Sequence, residues 1–172
     1  MKTLSLSAPL LLLLYGVCRF FGGLDGHVRG GWTWTAGHVA FFLSIVLFAV
    51  LAVALRSRMR ALSTIGAAAA LFGAACFLWV ITGDLNATFH DRWPLPSALE
   101  AAGPSCFALG MILLLSLRVA DARLPFWSPA LFFLGFLVIS VSLDLLPLGA
   151  ILVLGAMAPL YTARRAALAA RT

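Results

Sequence analysis

The stretch TGDLNATFHDRWPLPSALE, residues 82–100, collects polar groups in a chain that is apolar on either side. It contains Asp84, Asp91 and Glu100, which are three of the six acidic residues, and His90, one of the three histidines. Two carboxylates that face each other can divide into a proton donor and a proton acceptor, because burial and mutual repulsion keep only one of them charged. Together with His90 and Asp91 they supply groups for general acid–base chemistry. We therefore predict Asp84, Glu100, His90 and Asp91 as candidate catalytic residues.

A structural interpretation of the same residues is also open. Carboxylates are common at helix ends and in loops that lie in water, where charging them costs little. Glu100 falls in the first turn of a predicted helix, where the helix dipole favours a negative charge. Asp84 and Glu100 are therefore either a reaction centre or two ordinary helix ends.

The elements that must hold these residues are membrane helices. The chain is 63% hydrophobic and only 10% charged, whereas soluble domains carry about 25% charged residues. Six apolar segments of 17 to 22 residues follow one another, close to the ~20 residues that cross ~30 Å of hydrocarbon. They are Leu4–Phe21, His38–Leu55, Ala61–Thr82, Ala101–Leu117, Phe126–Leu143 and Leu145–Tyr161. We predict an all-α, polytopic membrane protein: one integral membrane domain over residues 1–172, a six-helix transmembrane bundle with short loops.

The basic residues predict the orientation of this bundle. With six spans, nine Lys and Arg residues fall on one side and three on the other, which places both termini in the cytoplasm of a bacterial inner membrane. The nine are Lys2, Arg56, Arg58, Arg60, Arg118, Arg123, Arg164, Arg165 and Arg171. The three are Arg19, Arg29 and Arg92. The segment 82–100 is then the outer loop between the third and fourth spans.

Small residues recur on one face of each of these two spans. The third span carries Gly66, Ala70 and Gly73, and the fourth carries Gly103, Cys106 and Gly110. Small side chains let helices approach closely in lipid, so we expect the Gly66–Ala70–Gly73 face to pack on a helix of this chain or of a partner membrane protein. Asp84 and Glu100 continue these faces at their outer ends. We expect that pair to lie close together, with His90 and Asp91 more exposed.

Other residues have membrane explanations. Trp32, Trp34, Trp79 and Trp93 fall near the outer boundary and are typical of interfacial anchors. Arg19, near the outer end of the first span, can extend to the headgroups or pair with Asp25.

Signatures of cofactor and nucleic-acid sites are missing from the sequence. The three cysteines lie in apolar segments without CxxC spacing, and no HExxH, phosphate loop or haem-type histidine pair occurs. The net charge of +6 is not gathered on a soluble face. We therefore expect no cofactor, no metal and no nucleic-acid partner.

Two resemblances are confined to membrane-boundary features and to size. The Arg-Leu-Pro entry at residues 123–125 and the Tyr-x-x-Arg-Arg ending at 161–165 resemble those of small multi-pass membrane proteins of GC-rich bacteria. Six spans in a chain of this length also resemble the substrate-binding subunits of vitamin-uptake systems. Neither resemblance implies a functional residue.

Three functional hypotheses are compatible with these patterns. The helix centres are uncharged, which favours packing or an apolar or neutral ligand over ion transport. The first hypothesis is an accessory subunit of a membrane complex or a small-solute permease component. The alternative is a membrane-embedded enzyme that acts on a lipid or isoprenoid near the outer leaflet, with acid and base groups in segment 82–100. The third is a sensor of pH or metal.

Overall fold

The computed structural model describes residues 2–24, 31–57 and 61–169, and the side chains of residues 3–22, 31–57 and 61–162. In this part of the chain there are seven α-helices, one turn of 3-10 helix at Leu143–Leu145, and no β-strand. The helices are α1 Lys2–Leu24, α2 Trp32–Leu55, α3 Ala61–Leu85, α4 Ala87–Arg92, α5 Ser97–Ala120, α6 Trp127–Val141 and α7 Leu146–Ala169. The predicted all-α bundle is confirmed.

Some residues used to predict the orientation lie outside the described part of the chain. They include Arg29, Arg58, Arg60 and Arg171, together with the side chains of Lys2, Arg164 and Arg165.

Five helical segments of the described chain are long and apolar enough to cross a membrane: Thr3–Gly22, Trp32–Leu55, Ala61–Leu85, Ser97–Ala120 and Leu143–Thr162. Large apolar side chains point outward from these segments, and Leu43, Ile65 and Ile151 are about half exposed. Lipid is the solvent in which such a surface is stable. The protein is a membrane-embedded helical bundle.

The predicted span Phe126–Leu143 is shorter in the structure. Helix α6 has 15 residues, or about 22 Å at 1.5 Å per residue. It ends at Val141 because Ser142 is extended, with φ −155° and ψ 132°. The Ser142 hydroxyl then accepts a hydrogen bond of 3.2 Å from the Asp144 backbone N–H. The turn at Leu143–Leu145 connects α6 to α7 as a tight hairpin.

The six larger helices form a ring in chain order. Each packs on the next, from α1 through α2, α3, α5 and α6 to α7, and α7 packs back on α1. The short α4 lies beside the end of α3. One end of the ring holds the start of α2 and the end of α3, and we call it the His38 end after the histidine that lies there. The middle is filled by Phe48, Phe107 and Phe132, which are at most 1% exposed and meet edge to face.

The contact between α3 and α5 is very close. A side chain on Gly73 would overlap the backbone at Gly103 and Phe107, and one on Gly110 would lie 2.6 Å from the carbonyl oxygen of Gly66. Ala70 is fully buried in the same contact. The Gly66–Ala70–Gly73 face therefore packs within the fold, which is the first of the two arrangements expected from the sequence, and it is filled by α5 of the same chain.

Three other side chains bind the ring together through buried or partly buried hydrogen bonds. The Ser44 hydroxyl of α2 donates to the Ala8 carbonyl of α1 at 2.7 Å. The Ser128 hydroxyl of α6 donates to a carbonyl of α7 at 2.6 Å. At the end opposite His38, an Arg118 guanidinium nitrogen donates to the Leu55 carbonyl at 2.8 Å and satisfies the last turn of α2.

Helix boundaries differ from the predicted spans where polar residues meet the membrane surface. Helix α2 begins at Trp32 and not at His38. The residues TWTAG at 33–37, which precede the apolar run, are therefore helical as well. Segment 82–100 is only partly a loop, since it contains α4. The Asn86 side chain starts α4 by accepting a hydrogen bond of 3.2 Å from the Phe89 N–H. The earlier start of α2 places His38 inside the bundle.

Candidate functional site

The His38 end of the bundle contains a partly open central cavity of about 310 Å³. All six larger helices contribute to its wall, which is mainly aromatic and aliphatic. Phe41, Phe77, Phe107 and Phe48 line it in succession, with ring centroids 5.6 to 5.8 Å apart and edge-to-face geometry. Edge-to-face contacts favour one arrangement of the rings, so the wall is preorganised.

Five lining residues of this cavity bear polar atoms in their side chains: Tyr15, Arg19, Trp34, His38 and Asp84. They come from the last turns of α1, the first turns of α2 and the end of α3. Because these turns meet at the His38 end, the polar atoms lie at one end of the cavity and the phenylalanines extend toward the middle of the bundle. The cavity is amphipathic along its length.

His38 has a fixed orientation and a defined proton on one nitrogen. It is only 4% exposed, and its Nδ1 atom lies 2.8 Å from the Trp34 carbonyl oxygen. A carbonyl oxygen can only accept, so Nδ1 carries a hydrogen. The ring is held between Trp34, at a centroid distance of 4.1 Å, and the edge-on ring of Tyr15 at 5.4 Å.

The other nitrogen of His38 faces a carboxylate. Its Nε2 atom lies 3.6 Å from Asp84 Oδ2. With a proton on Nε2 the two form an ion pair, and without one Nε2 presents a lone pair beside the carboxylate. This pair can donate or accept a proton at the polar end of the cavity.

Arg19 lies one turn beyond Tyr15 on α1, and its side chain is half-buried. The Nε atom is shielded from solvent and has no hydrogen-bond partner among the described residues. The Tyr15 hydroxyl lies against the guanidinium group. The expected pairing of Arg19 with Asp25 falls outside the described residues, because Asp25 is not among them.

A second cavity of about 200 Å³ lies between the end of α1 and the start of α2. Gly22, Gly31 and Thr33 belong to its lining. It shares four lining residues with the central cavity: Tyr15, Arg19, Trp34 and His38. These four side chains are a common wall, and groups bound on either side of it would contact Arg19.

The predicted residues of segment 82–100 are only partly brought together. Asp84, His90 and Glu100 line one small cavity of about 40 Å³, which has room for water but not for an organic substrate. His90 packs over Gly83, and Asp91 is exposed on α4 and does not line this space. Asp84 alone of the four also reaches the central cavity. A catalytic role for the four residues stays a prediction.

Sequence reasoning missed Tyr15, Arg19 and His38 as site residues. The available signal was spacing: Tyr15 and Arg19 are four residues apart, as are Trp34 and His38, so each pair shares one helix face. Trp34 is predicted as an interfacial anchor, which stays a prediction, and its ring packs on His38 and lines both cavities.

Within the described residues no group of three or more His, Cys, Asp or Glu side chains is arranged to hold a metal ion. Comparison of the chain with protein-family models, curated proteins and solved structures finds no match. Function is therefore inferred from the geometry of the chain itself.

Proposed function

We propose that the protein binds a small amphipathic molecule in the central cavity, with the apolar part among the phenylalanines and the polar head at the His38 end. The observation that carries this proposal is the division of the cavity wall into a long apolar part and one polar end. Small-molecule sites are concave and mostly apolar, of about 300 to 1,000 Å³, with a few placed polar groups. The volume of about 310 Å³ falls at the lower end of that range.

Packing arguments support a ligand in this space. Protein interiors are close-packed, and voids much larger than water are few, because the lining atoms lose dispersion contacts. The rest of this bundle follows that rule, with helix backbones in contact at α3–α5. A concave space of this size beside tightly packed helices supports the binding of a molecule there.

Among the hypotheses from the sequence, this proposal favours a ligand-binding component of a membrane complex or permease. The second candidate is the enzyme that acts on a lipid or isoprenoid substrate, and one observation favours it. Nε2 of His38 and Oδ2 of Asp84, 3.6 Å apart, can exchange a proton with a bound head group. In that case the acid–base pair is His38 and Asp84, and Glu100 and His90 lie outside the reacting centre.

The location proposed for the protein is a bacterial inner membrane with both termini in the cytoplasm. The nine-to-three distribution of basic residues supports this orientation. The His38 end and its polar head site then face the periplasm, so the ligand enters from the outer leaflet. A partner membrane protein would bind on a surface other than the α3 face covered by α5.

Filling the cavity tests the proposal. Ile81 is 1% exposed and lines the cavity, whereas Ile65 on the same helix is 59% exposed. We expect Ile81→Phe to abolish the rise in melting temperature that dodecanol produces in wild-type protein held in phosphatidylcholine nanodiscs, because binding to the folded state stabilises it. Ile65→Phe is the matched control and should respond like the wild type. An equal response from Ile81→Phe and Ile65→Phe would show that dodecanol does not enter the cavity.

A further inference from the structure

Among the residues that the structure describes, Arg19 is the one arginine or lysine in the lining of both cavities. It belongs to the apolar segment Thr3–Gly22, within the length that crosses the membrane. Charged side chains in such segments are costly, and they commonly face a cavity or a partner. Here the Arg19 side chain is part of the wall shared by the two cavities.

Part of the hydrogen-bonding capacity of Arg19 is not used by the described residues around it, although the Tyr15 hydroxyl bonds to its guanidinium group. Its buried Nε–H has no acceptor there. Asp84, the one carboxylate among the described residues that line the central cavity, lies 3.6 Å from His38 Nε2. An unpaired buried donor is expensive, and a guanidinium edge matches two oxygens of a carboxylate or phosphate.

The charged groups and hydrogen-bond donors around the central cavity favour an anion on its α1 side. Arg19 and the Tyr15 hydroxyl, both from α1, are donors, whereas Asp84 on α3 is an acceptor with a negative charge. An anionic head is attracted to the α1 side and repelled from the α3 side. The smaller cavity of about 200 Å³ lies on the α1 side and has room for such a head group.

We infer that the ligand of the central cavity is an amphipathic oxyanion, a carboxylate or phosphate monoester on an apolar chain, whose head is held by Arg19. This inference rests on the proposed function, which requires only an amphipathic ligand. It adds the charge of the head and the residue that recognises it. The chain occupies the central cavity and the head lies at the wall shared with the smaller one.

The test compares four probes on protein in phosphatidylcholine nanodiscs: dodecanoate, dodecyl phosphate, dodecanol and inorganic phosphate. Affinity is measured from the dependence of the melting temperature on probe concentration. We expect one of the two anionic amphiphiles to bind wild-type protein about tenfold or more tightly than dodecanol, the size of one charge-assisted interaction. Inorganic phosphate should bind much more weakly, because it leaves the apolar wall empty.

Substitutions at Arg19 assign the preference to its guanidinium. Arg19→Gln should bind the anions no better than dodecanol, because the preference for the anions over dodecanol depends on the guanidinium. Arg19→Lys keeps the charge without the planar fork and should show an intermediate preference. Arg92→Gln, at an exposed position of α4 at the same end of the bundle, is the matched control and should retain the full preference.

The possible outcomes separate the two proposals. Equal binding of dodecanol and both anions, unchanged in Arg19→Gln, would overturn the anionic head and leave the amphipathic ligand standing. Inorganic phosphate that binds as tightly as dodecyl phosphate would overturn the apolar chain. Failure of all four probes, with Ile81→Phe no different from Ile65→Phe, would contradict the proposed function itself. If Arg19→Gln does not fold, the preference of Arg19→Lys for the anions over dodecanol tests the role of the guanidinium. A preference equal to that of the wild type would contradict this role.

Discussion

His38 shows how a single side chain acquires a role from its neighbours. Its Nδ1–H is committed to the Trp34 carbonyl, two aromatic rings restrict its plane, and Nε2 is left facing Asp84. A histidine held in this way presents one defined nitrogen to a ligand, which is the usual condition for both binding and proton transfer. Asp84 sets the charge that this nitrogen meets.

Substitution of single residues can distinguish Asp84 from the other carboxylates of segment 82–100 by its effect on ligand binding. Asp84→Asn keeps the shape and removes a negative charge from the central cavity, so we expect dodecanoate to bind several-fold more tightly while dodecanol is unaffected. Glu100→Gln removes a carboxylate that lines only smaller cavities and should change neither affinity. Melting temperatures measured against probe concentration provide both values.

The same titrations also test the structural interpretation of Asp84. If Asp84 is only a helix end, Asp84→Asn and Glu100→Gln will bind both probes like the wild type. That result would remove Asp84 from the ligand site and leave the geometry around His38 without a functional explanation.

Helices α3 and α5 act as one element, because their backbones touch along the small-residue faces. Gly73 has no space for a side chain, whereas Ala75, two residues later on α3, is exposed. Overpacking a close contact typically costs about 1 to 3 kcal/mol and sometimes more, while lipid yields to a larger group. This contact fixes the separation of Asp84 from α5 and supports the cavity wall at Phe77 and Phe107.

We therefore expect Gly73→Leu to lower the yield of folded protein and its melting temperature clearly below those of Ala75→Leu. Size-exclusion chromatography and thermal unfolding in the same detergent measure both quantities. Matching yields and melting temperatures for the two variants would mean that α3 and α5 do not pack as described.

For the molecule as a whole, the closed ring explains why the cavity exists. Helix α7 returns to α1, so six helices surround a space that Phe48, Phe107 and Phe132 fill on one side only. At the His38 end, polar side chains join the wall of this space. The side of the membrane that the His38 end faces determines from which side a ligand enters the cavity.

Reporter fusions determine that orientation. A reporter that is active only in the periplasm should be silent when it is fused after Arg60 or after Arg171, and active when it is inserted after Arg92, because the basic loops remain in the cytoplasm. Activity after Arg60 or Arg171, with silence after Arg92, would invert the bundle and place the His38 end in the cytoplasm.

Some features of this protein follow from the sequence by itself, because they are local. The membrane spans follow from composition, since a run of about 20 apolar residues must form a helix to satisfy its backbone in lipid. The close face of α3 follows from the spacing of Gly66, Ala70 and Gly73, because helical period places them on one side. The break between the last two helices follows from Asp144, which separates two apolar segments.

The ligand site was decided only by the tertiary structure. Asp84 faces His38 from 46 positions along the chain, and Arg19 reaches the same wall from a third helix. These encounters depend on where α2 begins, how each helix is rotated and how α7 closes the ring on α1. Those variables are set by the packing of all six helices at once, so residue types and periodicity within one segment do not contain them.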